Sequence, residues 1–172
     1  MMLRRLGFSI GVLYFWSSAI LFGSLLAETV LLYPNIFHDV PRSLETASTF
    51  MAAVNPGDYF PPLGMASLCL GVLAIALNWR VKAVRSWFLG AMLVVALGDY
   101  LLSALYMWER NTIMFQEGAA VHSVAYLQEV AREFETAHWV RIGAAGIAAV
   151  CVFVGLLRSY RERVLTSVDR AG

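Results

Sequence analysis

Three ionisable side chains lie inside apolar stretches of the sequence, where a charge is costly. Glu28 stands in Leu-Leu-Ala-Glu-Thr-Val-Leu-Leu, Asp99 stands in Leu-Gly-Asp-Tyr-Leu-Leu, and Arg141 follows His138 by three residues. An ionisable group deep in a bilayer costs about 2.5–3.5 kcal/mol on insertion scales, so each is a candidate functional residue. A carboxylate, an imidazole and a guanidinium held together can move a proton and stabilise an anion.

The depth of these side chains predicts that they share one site. At 1.5 Å per residue, Asp99 lies about 20 Å and Glu28 about 30 Å from the start of its apolar stretch, while His138 and Arg141 begin the last stretch. All four fall in the outer half of a hydrocarbon core about 30 Å thick. The alternative is an ion pair of Arg141 with Asp99 or Glu28 that only fixes the register of the helices.

A metal site is a second hypothesis for the same residues. The spacing Glu135-x-x-His138 is that of the Glu-x-x-His pairs in di-iron bundles, although the sequence holds one copy only. Together with Glu28 and Asp99 it would give carboxylate and imidazole ligands. A b-type haem is not favoured, because no two histidines stand at matching depths within the apolar stretches.

Four apolar stretches must position these residues. The chain has 172 residues, of which 59% are hydrophobic and 15% charged, with a mean hydropathy of +0.66. This composition excludes disorder, a disulfide scaffold and a basic nucleic-acid binder, and it indicates lipid as the solvent. Each stretch is long enough to cross a bilayer as a helix. We therefore predict one all-α domain, residues 1–172, a bundle of four transmembrane helices at 8–32, 59–79, 86–108 and 138–160.

The basic residues predict the orientation. Nine of the 13 Lys and Arg residues fall in the segments that are cytoplasmic if the N-terminus is cytoplasmic. We therefore expect an integral protein of the plasma (inner) membrane with both termini in the cytoplasm. Tyr33, Tyr59 and Trp108 would then mark the outer interface.

The outer segments carry further helical patterns. Between Pro41 and Pro56 the apolar residues recur at helical spacing, which predicts a short amphipathic helix capped by Ser43. An apolar stripe with 4-3-4-3-4 spacing leads from Ala120 into the fourth span at His138. We therefore expect the third and fourth helices to project beyond the outer face and to turn near Gly118.

A few short motifs resemble a known family. They are Tyr33-Pro34 after the first helix, Asn55-Pro56 to Pro61-Pro62 before the second, and Asn111 after the third, followed by His138-Trp139-Val140-Arg141. On these residues the chain resembles the anthrone oxygenase-like family of small four-helix membrane proteins. The family's Asn-His-x-x-Arg pattern is altered here, since Ala137 stands at the Asn position.

The resemblance implies an oxygenase that needs no cofactor and acts on an enolisable aromatic substrate. His138 would be the base, Arg141 and Asn111 would stabilise the resulting anion, and Asp99 or Glu28 would orient the pair. A hydrophobic substrate would arrive laterally from the outer leaflet.

Two other classes of function stay open at the sequence level. The first is a membrane scaffold or accessory subunit, whose partner would be a second copy of the chain or another membrane protein. Its buried charges would then be structural pairs. The second is a small proton-coupled transporter that uses Glu28, although this residue lies near the outer edge of the bilayer rather than at its midplane.

Overall fold

The computed structural model describes residues 2–168, with side chains from residue 3 to residue 165. Of the described residues, 90% are helical and none lies in a strand. Three helices are uninterrupted: α2 (Arg42–Phe50), α3 (Pro56–Leu77) and α5 (Val124–Val168). The sequence-based prediction of an all-α protein is confirmed.

The other two helices, α1 and α4, pass from α-helical to π-helical hydrogen bonding along their length. In α1, the α-helix Met2–Ala27 is followed by a π-helical turn and a last α-helical turn, Glu28–Leu32 and Tyr33–Ile36. In α4, the α-helix Lys82–Val95 continues in short π- and α-helical segments: Ala96–Leu101, Ser103–Met107, Trp108–Asn111, Thr112–Glu117 and Gly118–Val121. Isolated π-helical turns are frequent at functional sites.

Four helices are long and apolar enough to cross a membrane: Leu3–Ile36, Pro56–Leu77, Lys82–Val121 and Val124–Leu165. The third and fourth extend well beyond 86–108 and 138–160, because no proline interrupts them and the apolar stripe continues. Gly118, at φ 55°, ends the last π-helical segment, and the chain reverses at His122 and Ser123.

Long-range contacts make α5 the centre of the bundle. It packs along both α1 and α4, and α1 also packs along α3. Phe8 contacts Tyr160 at one end, and Tyr33 contacts His138 at the other, so α1 and α5 are antiparallel. We call the end near Phe8 the terminal end and the opposite end the α2 end. Contact between α3 and α4 is concentrated in the Lys82–Val95 part of α4, towards the terminal end.

Three apolar layers follow one another along the bundle. A layer around Phe88 and Val152 fills the terminal end, and a small layer around Leu25 and Ile142 lies above it. A third layer, around Phe134, fills the α2 end. Glu28, Asp99, His138 and Arg141 fall between the second and third layers.

Helix α2 packs against the third layer and so covers this end of the bundle. Its Leu44 is buried in the third layer, whereas Phe50 is exposed. The prediction that Ser43 caps this helix is wrong. The helix starts at Arg42, two residues before the start that a Ser43 cap would give, and it has no side-chain cap. The Ser43 hydroxyl instead accepts a hydrogen bond from the Asp39 amide.

Candidate functional site

A buried ion pair joins α4 to α5. The Arg141 Nε donates a hydrogen bond of 2.6 Å to the Asp99 Oδ1. Both side chains are largely buried, with 13% and 7% of their surface exposed. A charge removed from water needs such a partner, because the unpaired ion would carry its full desolvation cost.

The imidazole of His138 lies fully buried between this ion pair and α1. Its Nδ1 is 2.9 Å from the Tyr33 hydroxyl and 3.4 Å from the Arg141 Nη1. A guanidinium can only donate hydrogen bonds, so Nδ1 can accept from Arg141 only in the tautomer that carries the ring proton on Nε2. In that tautomer Nδ1 can also accept from the Tyr33 hydroxyl.

Glu28 lies on the other side of the same ring. Its Oε2 is 3.7 Å from the His138 Nε2, which has no hydrogen-bond partner among the described residues. This separation is too long for a hydrogen bond, so the two groups interact through charge and dipole alone. The Glu28 side chain is 8% exposed, and the exposed part faces a cavity.

The π-helical turn of α1 explains how Glu28 and Tyr33 reach the same site. The Tyr33 amide donates to the Glu28 carbonyl, which closes a five-residue turn. Residues five apart differ by about 140° around an α-helix, and the wider π-helical turn reduces this angle and brings them towards the same face. A second π-helical turn aligns Ser103 with Trp108 in the same way, since the Trp108 amide donates to the Ser103 carbonyl.

A cavity of about 480 Å³ opens beside these residues at the α2 end. Its polar lining includes Glu28, Tyr33, Ser103, Asn111 and Arg141, and also Ser48, Asn55 and Gln116. Its aromatic lining comes from Phe37, Phe60, Trp108, Phe115 and Phe134. An apolar cavity with a few convergent polar groups is the usual form of a small-molecule site.

The structure divides the residues proposed from sequence into two groups. Glu28, Asn111 and Arg141 line the cavity. His138 and Asp99 do not line it and lie behind this lining, where His138 contacts Tyr33 and Arg141, and Asp99 contacts Arg141.

Sequence reasoning missed several residues of the lining, among them Tyr33 and Ser103. Tyr33 was expected at the outer interface, but it is 3% exposed and packs against Phe37, Phe134 and His138. The sequence gives no signal that would select Ser103 as a site residue, because a serine in an apolar helix usually bonds to its own backbone. The sequence places Tyr33 five residues after Glu28. This spacing brings the two residues towards one face only if the helix makes a π-helical turn between them.

The metal hypothesis finds no complete ligand set. Within the described part of the chain, no three His, Cys, Asp or Glu side chains are grouped so that they could hold a metal ion. Glu135 and His138 therefore lack a third ligand there. The guanidinium of Arg141, 3.4 Å from the His138 Nδ1, would also repel a cation at that nitrogen.

The four long apolar helices are those of an integral membrane protein with a helical-bundle fold. Many large apolar side chains on their outer surfaces are exposed, as contact with lipid requires. Comparison of the chain with protein-family models, curated proteins and solved structures finds no match.

Proposed function

We propose that this protein is a membrane enzyme that removes a proton from a hydrophobic, enolisable aromatic substrate and oxidises it with dioxygen. One observation carries the proposal. The cavity at the α2 end combines aromatic surfaces with a carboxylate, Glu28, and a guanidinium, Arg141, in its lining. A base and an anion-stabilising donor are the two groups that enolate formation needs.

The geometry favours Glu28, rather than His138, as the group that takes the proton. Glu28 faces the cavity, while His138 is fully buried behind it. His138 would act as a positioning residue, because its Nε2 faces the carboxylate and its Nδ1 is held by Tyr33. Arg141 and Asn111 would stabilise the oxyanion, and Asp99 would hold Arg141 in place through their 2.6 Å hydrogen bond.

The proposed reaction balances with dioxygen as the only co-reactant. A C–H bond at the carbon that is conjugated with the substrate carbonyl breaks, its proton passes to Glu28, and its electron pair forms an enolate; in anthrone this carbon is the CH2 opposite the carbonyl in the central ring. The enolate carbon then bonds to dioxygen, and the peroxide anion takes the proton back from Glu28. The hydroperoxide loses the remaining hydrogen of that carbon together with its outer OH as water, which leaves a new carbonyl. With anthrone, one molecule of ketone and one of dioxygen give one molecule of anthraquinone and one of water. The enolate supplies the electrons, so the reaction does not require a bound metal or flavin.

The same proposal includes the placement in the membrane. The α2 end would be the outer end, so that both termini are cytoplasmic and α4 and α5 project beyond the outer leaflet. The excess of basic residues at the terminal end supports this orientation. A hydrophobic substrate would then reach the cavity from the outer leaflet.

A scaffold role is the second candidate function. It is favoured by the pairing of Arg141 with Asp99, which joins α4 to α5 whether or not a substrate binds. A scaffold gives no reason for Glu28 to face a cavity without a charged hydrogen-bond partner of its own. The two functions therefore differ in what replacing Glu28 should do.

The test is oxygen uptake by the protein in lipid nanodiscs with anthrone. We expect one dioxygen consumed for each anthraquinone formed, faster than with empty nanodiscs. Glu28→Gln should lower the rate by about 10²–10⁴-fold, the usual contribution of a general base. Glu109→Gln is the matched control, because Glu109 is also on a long helix but is 73% exposed. An unchanged rate in Glu28→Gln, or no rate above empty nanodiscs, would overturn the enzymatic proposal.

A further inference from the structure

Ser103 differs from most other helical hydroxyls in this chain. Ser9, Thr29, Ser48, Thr112 and Thr136 each donate to the carbonyl four residues earlier, as serine and threonine commonly do in helices. The Ser103 hydroxyl makes no hydrogen bond to any described residue. The residue is only 9% exposed, and its hydroxyl oxygen is buried.

Ser103 is placed next to the cavity. It starts the π-helical turn Ser103–Met107 and lines the cavity together with Glu28 and Arg141. A buried hydroxyl without a partner is unfavourable, so such groups are usually satisfied by something. The Ser103 oxygen is itself buried, and rotation about χ1 would turn it towards a ligand in the cavity.

We propose that Ser103 is a specificity-determining residue, whose hydroxyl donates to an acceptor oxygen of the ligand. The proposal rests on the proposed function and makes it more specific. The ligand class is a planar aromatic ketone, bound with its carbonyl oxygen between Ser103 and Arg141 and its acidic C–H edge towards Glu28. The aromatic surfaces of Phe60 and Trp108 would pack against its rings.

Two other residues of this region provide matched controls. Ser48 also lines the cavity, but its hydroxyl is bonded to the Leu44 carbonyl. The hydroxyl of Tyr100 is buried and unpartnered like that of Ser103, but Tyr100 does not line the cavity and points to Gly64 of α3. Neither Ser48→Ala nor Tyr100→Phe should therefore alter recognition of a carbonyl.

The experiment compares two radiolabelled ligands, anthrone and 9,10-dihydroanthracene, which lacks the carbonyl oxygen but has the same three rings. Binding to protein in nanodiscs is measured without dioxygen, with empty nanodiscs subtracted. We expect wild-type protein to prefer anthrone. Ser103→Ala should weaken anthrone binding about five- to tenfold and leave dihydroanthracene binding unchanged, as expected for one neutral hydrogen bond. Ser48→Ala and Tyr100→Phe should keep the wild-type preference.

A stability measurement excludes a merely structural role. Removing an unpartnered buried hydroxyl should leave the melting temperature of Ser103→Ala equal to that of the wild type, or above it. The inference is overturned if wild-type protein binds both ligands equally or binds neither. It is also overturned if Ser103→Ala weakens both ligands alike, or if Ser48→Ala does the same as Ser103→Ala. Carbonyl-selective binding that depends on Ser103, without oxygen uptake, would leave this inference standing and overturn the proposed oxygenase.

Discussion

The Arg141 Nε lies 2.6 Å from the Asp99 Oδ1 and so connects residues 42 positions apart on α5 and α4. The same guanidinium faces the cavity and approaches His138. One ion pair therefore both fixes the packing of two helices and positions the cation of the candidate site.

Breaking this ion pair on one side should be costly. Arg141→Met leaves the Asp99 carboxylate buried and unpaired, so we expect the free energy of unfolding in detergent to fall by about 3–5 kcal/mol. The double variant Asp99→Leu/Arg141→Met removes both charges and should recover most of this loss. Chemical denaturation followed by circular dichroism measures both. The Arg42–Asp39 pair is the control, since its side chains are 86% and 58% exposed and Asp39→Asn should cost about 1 kcal/mol at most. A double variant as unstable as Arg141→Met would contradict this account.

The close packing beside the ion pair should also be sensitive to substitution. A Cβ added at Gly98 would come within 2.5 Å of the Ala144 Cβ, so Gly98→Ala must push α4 away from α5. We expect a loss of about 1–3 kcal/mol in stability from overpacking. Gly90→Ala, on the same helix with no atom within 4 Å of the added Cβ, should be neutral or slightly stabilising, because alanine favours helices. Thermal unfolding of the two variants side by side decides the matter, and equal melting temperatures would refute the prediction.

The contact between Tyr33 and His138 should matter for both stability and turnover. Tyr33→Phe deletes the hydroxyl 2.9 Å from the His138 Nδ1 and leaves that buried nitrogen with the more distant Arg141 alone. We expect about 1–3 kcal/mol lower stability. If Glu28 is the base, kcat for anthrone should fall about tenfold with little change in KM, because the imidazole beside Glu28 is less well held.

Tyr59→Phe is the matched control for this change, because the Tyr59 hydroxyl also bonds a side chain of α1, that of Ser24, but at an exposed position. Its stability and kcat should stay close to those of the wild type. An undiminished kcat in Tyr33→Phe would remove His138 from the proposed mechanism.

The proposed orientation can be tested in intact cells. After Cys69 and Cys151 are replaced by alanine, a cysteine at Glu45 on α2 should react with a membrane-impermeant maleimide, and a cysteine added after Gly172 should not. Glu45 is exposed at the α2 end, so its reaction is the positive control. Labelling of the added C-terminal cysteine before cell lysis would reverse the orientation.

The sequence alone determined the membrane architecture. The composition and the length of the apolar stretches decide that the chain is an all-α protein with four helices able to span a bilayer, because only helices can satisfy the backbone of such stretches in lipid. The cost of buried charge singled out Glu28, Asp99 and Arg141. That same cost made the Arg141–Asp99 pair foreseeable, as the only cation in the outer half of a predicted span needed an anion at matching depth.

The tertiary structure alone decided which of these groups faces the cavity. An α-helical reading of the sequence cannot place Tyr33 beside Glu28, because their alignment depends on a π-helical turn that shifts the helix face by part of a turn. The sequence also does not distinguish Ser103 from Thr29 and Thr112, whose hydroxyls bond to the carbonyl four residues earlier. The burial of His138 behind the cavity lining was equally out of reach, since it results from the layer around Phe134 packing over the ring. Periodicity determines which face of a helix is apolar. The contacts between helices determine which polar atom on that face remains accessible to a ligand.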